Sequence, residues 1–154
     1  MTSPRTDTVT SAVVAGQTGR VLLAADETAI QDVRELVAQL AAVQTLTCRT
    51  RGQIFIEVAS VSQIELIDAP ELITVTWLTR DSRTGEPGTS TVCAPGQALG
   101  RSVRAWVSEM STGDAELDGG DITAVVLGRE LGVSDLRLDL ITRLGVQQAE
   151  SAAV

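Results

Sequence analysis

Lysine, histidine and tyrosine are absent from these 154 residues, and all twelve positive charges are arginine. Without histidine there is no Ser-His-Asp or Cys-His pair and no imidazole metal ligand. Without lysine there is no Schiff base, Ser-Lys dyad or Walker A phosphate loop. Aromatic residues are almost as scarce: Phe55, Trp77 and Trp106 are the full set, too few for the stacking platforms that bind sugars or single-stranded nucleic acid. The longest apolar runs, Ala12 to Ala15 and Val21 to Ala25, are far short of a membrane span or the apolar core of a secretory leader. A cytoplasmic, membrane-free protein is therefore expected. Cys48 and Cys93 stand in separate apolar stretches with no partner thiol nearby, which suits buried reduced thiols better than a ligand pair.

What remains is carboxylate or thiol chemistry. Glu57, Glu65 and Asp68 lie on or near expected strands, but nothing in the sequence marks any of them as an acid–base pair. The expectation is accordingly a protein that is not an enzyme and takes no cofactor or metal. A net charge of −8 and a pI near 4.4 disfavour DNA and anionic membranes, which are themselves negative, and favour basic partners.

At 44% hydrophobic residues, one domain of this length buries a core without disulfides. The chain divides into a flexible N-terminal arm (1–7), an α+β core (8–111), a C-terminal helical segment of the same domain (112–146) and a tail (147–154). Val9–Val14 and Arg20–Ala25 flank Gly16-Gln17-Thr18-Gly19 as a candidate hairpin. Ile30, Val33, Val37 and Leu40 recur at helical spacing, and Thr28 with Gln31 has the pattern of a capping box, so a helix is predicted over 28–43. Leu46 and Cys48, then Ile54, Ile56 and Val58, alternate with other residues as in a half-buried antiparallel sheet. Ser62–Ile67 leads to a strand at Ile73–Thr79, and Asp81–Gly88 reads as a hairpin tip returning into Thr89–Cys93. Leu99, Val103, Trp106, Val107 and Met110 form the stripe of a second helix, with Pro95 in its first turn. Two shorter helices are predicted near 122–131 and 134–144. The fold expected is α+β: a mainly antiparallel sheet packed by two amphipathic helices, with a helix-turn-helix-like C-terminal pair.

Ala124–Arg143 (AVVLGRELGVSDLRLDLITR) resembles the helix-turn-helix of DNA-binding regulators. Gly128 stands where that motif needs a tiny residue, Gly132 where its turn needs positive φ, and Ser134 where its recognition helix needs a cap. The resemblance implies phosphate contacts by Arg129, Arg137 and Arg143 and puts Leu127, Leu131, Val133, Leu138 and Ile141 in its core. The exposed face of its second helix would then carry Ser134, Asp135, Leu136, Asp139 and Leu140. Two carboxylates there would oppose DNA, and residues 95–148 hold five arginines against eight acids. Leu136 and Leu140, flanked by Asp135 and Asp139, fit a protein-binding surface better. Asp114, Glu116, Asp118 and Gly119 partly resemble a calcium-binding EF-hand loop, but Val125 stands where the bidentate glutamate belongs.

These readings converge on a non-enzymatic protein-binding or assembly module that self-associates or meets a protein partner. It would be a structural, accessory or chaperone-like component, and the arginine-only composition suits the GC-rich genome of an actinobacterium or its phage. The alternatives are a helix-turn-helix regulator and an acidic inhibitor that occupies a basic site.

Overall fold

The computed structural model describes residues 20–43, 50–110, 122–128 and 135–140. Four strands form one sheet: β1 (Arg20–Asp26), β2 (Arg51–Val58), β3 (Ile73–Thr79) and β4 (Ile122–Leu127). Helix α1 (Ile30–Val43) follows β1 after a 3-10 turn at Glu27–Ala29, helix α2 (Gln97–Met110) lies between β3 and β4, and residues 135–140 form a short helix, α3. The strand order is β3-β2-β1-β4, and every pairing is parallel. From β1 the described chain steps outward to β2 and β3, and then returns across the sheet to place β4 on the other side of β1.

A parallel sheet is covered on both faces, so its strands read as continuous apolar runs and not as alternations. β1 shows this directly, with every residue from Val21 to Asp26 buried. Its odd-numbered side chains, Val21, Leu23 and Ala25, pack with Val33, Leu36, Val37 and Leu40 of α1. Leu22 and Ala24 face the other way, onto Leu99, Val103 and Val107 of α2. The molecule is thus a three-layer α/β/α arrangement, and the antiparallel α+β expectation is corrected. The physical cause is clearest in β2. Phe55 and Glu57 alternate with Ile54, Ile56 and Val58 and looked like a solvent face, yet they are buried beneath α2.

The N-terminal hairpin is corrected in the same way. β1 aligns Arg20 with Arg51 and with Ile122, so both of its edges are taken by parallel neighbours; Val9–Val14 lies outside the described residues. The 3-10 turn that leads into α1 is capped by Asp26, whose Oδ1 accepts from the backbone amide and hydroxyl of Thr28, so Thr28, expected to begin the helix, lies inside that turn. Asp26 closes β1 and opens the 3-10 turn at once. The Arg83–Cys93 loop turns back on itself through a Thr84–Val92 bridge. Arg101 of α2 holds it, donating to the carbonyls of Thr84 and Gly85 at 2.7 and 2.6 Å.

The helix expected near 122–131 is instead β4 over 122–127. Ile-Thr-Ala-Val-Val-Leu is a short apolar run rich in β-branched residues, and periodicity alone does not separate a doubly buried strand from a helix at this length. Without a helix at Ala124–Leu127 the helix-turn-helix has no first helix. Leu136 and Leu140 are also relocated: each is 1% exposed and packs in the α2-side core, whereas Leu138, assigned to the core by that resemblance, is 65% exposed.

This inversion predicts a measurable contrast. Leu140→Ala should lower unfolding stability by about 3 kcal/mol through loss of buried contacts and a residual cavity. Leu138→Ala should cost less than about 0.5 kcal/mol. Urea unfolding of the two variants reads the difference, and the reverse ranking would place the helix with its opposite face inward.

Candidate functional site

In an open parallel sheet, all strands point their carboxyl ends to one edge, and side chains that follow those ends gather there. This edge is unusually charged. Asp26 ends β1, Glu27 follows it, Glu57 is the penultimate residue of β2, and Arg80 immediately follows β3. Arg80 joins the two glutamates: its Nη2 donates to Glu27 Oε1 and Oε2 at 3.0 and 3.1 Å, and its Nη1 to Glu57 Oε2 at 3.3 Å. Glu57, which is 0% exposed, also accepts from the backbone amides of Gly96 at 2.7 Å and Leu99 at 3.1 Å, at the N-terminus of α2. Gly96 has φ 86°, a left-handed conformation that glycine adopts at little cost and that turns the chain into the helix here. Glu27 Oε2 accepts in addition from Ala59 N at 3.1 Å.

One guanidinium and two carboxylates therefore tie the ends of β1, β2 and β3 to the start of α2. Burial opposes the charge on Arg80, but hydrogen bonding and Coulombic attraction, first from Glu27 and then from Glu57, outweigh it and raise the pKa of Arg80 above the ordinary arginine value. The cluster carries one more negative than positive charge, and the two α2 amides, at the positive end of the helix dipole, answer the excess.

At the other side of β1 the edge changes character. Between β1 and β4 the direction of chain progress reverses, the place where open α/β sheets leave a crevice for ligands. Gly128 follows β4 with φ 136°, and a Cβ at that position would overlap the Asp26 carboxylate, so the two strand ends meet there only because residue 128 has no side chain. Arg137 of α3 reaches the same point. Its Nε and Nη2 donate to Val126 O at 3.4 and 3.2 Å, and Nη2 donates to Gly128 O at 3.3 Å. Thr28, in the turn after β1, is exposed.

Of the residues singled out from sequence, Arg137 and Gly128 meet at the end of β4, in a setting unrelated to DNA. Asp139 forms an ion pair with Arg104 of α2, Oδ2 to Nε at 2.7 Å, and Asp135 is exposed. Leu136 and Leu140 are buried, so the expected apolar contact surface is not formed by them. Arg129, Arg143 and the acidic loop 114–121 lie outside the described residues, as does Cys48; Cys93 is buried. Sequence reasoning named Glu57 and passed over it, named Gly128 only within the helix-turn-helix resemblance, and missed Glu27 and Arg80. The available signal was a glutamate inside the apolar run Ile54–Val58: once that strand is read as covered on both faces, the carboxylate must have a buried partner. Among the described residues, no cluster of metal-ligating side chains is present and no helix is long and apolar enough to cross a membrane.

The all-parallel sheet with helices on both faces defines a doubly wound α/β fold. Residues 18–154 match the model of the siderophore-interacting protein family, and the chain belongs to that family. Three solved structures share the fold. A siderophore utilization protein from T. fusca is 22% identical, with a TM-score of 0.52 over 85% of this chain and 42% of its own. The siderophore-interacting protein SipS from Aeromonas hydrophila is 15% identical, with a TM-score of 0.54 over 88% of this chain and 50% of its own. The siderophore-interacting protein from Acinetobacter baumannii is 16% identical, with a TM-score of 0.51 over 88% and 44%. The chain thus spans half or less of the length of each of these structures. No curated protein matches it.

Membership of the siderophore-interacting protein family overturns the assembly-module reading together with its phage setting. It likewise replaces the helix-turn-helix regulator, whose first helix is β4, and the acidic inhibitor.

The charged edge yields its own prediction. Arg80→Ala would leave Glu57 buried without its counter-charge and should cost about 3 to 5 kcal/mol. Neutralising the exposed Arg34–Glu65 pair, 3.4 Å apart, should cost less than about 1 kcal/mol. Urea titrations at low and high salt would separate them, because only the surface pair is strongly screened.

Proposed function

We propose that this chain is the nucleotide-binding half of a ferric-siderophore reductase-type protein, and that a reduced nicotinamide dinucleotide occupies the crevice between β1 and β4. The observation that carries this reading is the reversal of strand order at that crevice, the position at which doubly wound sheets receive dinucleotides. Family membership supplies the siderophore context.

The side chains present suit such a ligand, with one departure from the usual arrangement. The first βα turn, Asp26-Glu27-Thr28-Ala29, contains no glycine, and the Thr28 amide already donates to Asp26, so the start of α1 offers no glycine-rich phosphate loop. Arg137 takes that role in this proposal. Its guanidinium is fixed at the end of β4 by two carbonyls and brings positive charge to the crevice, where it would hold a phosphate. The Thr28 hydroxyl, whose proton goes to Asp26, would accept a hydrogen bond from a ribose. When bound, the nucleotide supplies a hydride to an acceptor outside this chain; the chain binds and orients it.

Isothermal titration of the whole chain with NADH, with NADPH and separately with a ferric siderophore tests the proposal. Saturable sub-millimolar binding of nucleotide is expected. Arg137→Ala should weaken it about tenfold, equivalent to about 1.4 kcal/mol. No heat of binding at millimolar nucleotide would overturn the reading, and an unchanged affinity in Arg137→Ala would remove Arg137 from it.

A further inference from the structure

Doubly wound dinucleotide-binding sheets select between nucleotides at the end of β2. An acid there hydrogen-bonds the ribose 2′-hydroxyl of NADH, and an arginine nearby accommodates the 2′-phosphate of NADPH. This chain has both residue types at that place, Glu57 and Arg80, and they are bonded to each other. Neither is presented to a ligand in the usual way. Both oxygens of Glu57 are committed, Oε1 to Leu99 N and Oε2 to Gly96 N and Arg80. Arg80 divides its terminal nitrogens between Glu57 and both oxygens of Glu27.

The surroundings add no net preference. Asp81 and Arg83 are exposed on the turn that follows Arg80 and carry opposite charges. Asp81 sits beside the end of β2, its amide donating to Ala59 O at 3.2 Å. Ser60 and Ser62, just after β2, bond each other through their hydroxyls at 2.7 Å, and a hydroxyl serves a sugar or a phosphate equally. Glu27 is the member of the cluster that matters most for a ligand. It is partly open to solvent and grips Arg80 with both oxygens, whereas Glu57 is sealed under α2.

Resting on the nucleotide reading above, we infer that the chain binds NADH and NADPH with little discrimination at the 2′ position, and that Glu27 sets this balance by cancelling the attraction of Arg80 for a 2′-phosphate. Glu57 is then a positioning residue that holds α2 and Arg80, and Glu27 is the specificity-determining one.

The test is calorimetric titration of the whole chain and of Glu27→Gln with both nucleotides, with circular dichroism to verify folding. The wild-type dissociation constants should agree within about threefold. Glu27→Gln should tighten NADPH binding about fivefold to tenfold and leave NADH within about twofold, because only the phosphate gains from an unmasked guanidinium. Glu27→Asp, which keeps the charge, should keep the wild-type ratio. A wild-type preference above about thirtyfold for either nucleotide overturns the inference, as does an equal change for both in Glu27→Gln. If Glu27→Gln does not fold, the wild-type ratio still decides. Binding of neither nucleotide would instead defeat the nucleotide reading itself, an outcome distinct from binding both with a strong preference.

Discussion

The buried carboxylate of Glu57 constrains more of this molecule than any apolar contact does. Removing a carboxylate from water costs several kcal/mol unless hydrogen bonds and an opposite charge replace its hydration. Here the replacements are three groups from two places in the chain: the guanidinium of Arg80 beyond β3, and the amides of Gly96 and Leu99 at the start of α2. To satisfy Glu57, the chain must bring the end of β3 and the entry to α2 to the end of β2. Arg80 passes the constraint on to Glu27 and so to the end of β1. A non-directional core of Val, Leu, Ile and Ala would tolerate small slides of these elements; the fixed angles of these hydrogen bonds do not.

With that edge fixed, the opposite side of β1 becomes the place where the sheet opens. The charged cluster fills the carboxyl ends of the outward-going strands, and the crevice lies where the chain returns as β4. At that place the buried Asp26, which caps the turn after β1, meets Gly128, and the charge of Arg137 is delivered by a helix whose leucines anchor it to the α2 layer. The burial of Leu136 and Leu140 is what aims Arg137 at the strand end. Three residues of one short helix, expected to serve a partner surface or DNA, instead serve the internal placement of one guanidinium.

How much of this could be read from the sequence follows from which patterns are local. The helices at Ile30–Val43 and Gln97–Met110 were legible because each lies on one face of the sheet and shows its buried stripe at a spacing of three and four residues. Strand positions in the central block were legible too, since Ile54–Val58 and Ile73–Thr79 are apolar and β-branched. Strand direction was not, because parallel and antiparallel ladders use the same residues, and it is the crossover helices on both faces that decide between them. β4 was misread because a largely apolar run of six residues fits either a strand or a helix, and the following Gly128 completed a motif whose first helix is a strand instead. The candidate site was least legible of all. Glu27, Glu57 and Arg80 are up to 53 positions apart, and only the parallel topology makes neighbours of them.

Amide hydrogen exchange at Gly96 and Leu99, read by NMR on the native chain, tests the role of Glu57 most directly. The first amides of a helix have no partner within it and exchange quickly unless something outside the helix accepts from them. If the Glu57 carboxylate organises the carboxyl edge, both amides exchange as slowly as those in the middle of β1, and both lose protection in Glu57→Gln relative to β1. Rapid exchange of both in the native protein would contradict the account, because Glu57 would then not be holding α2 to the sheet.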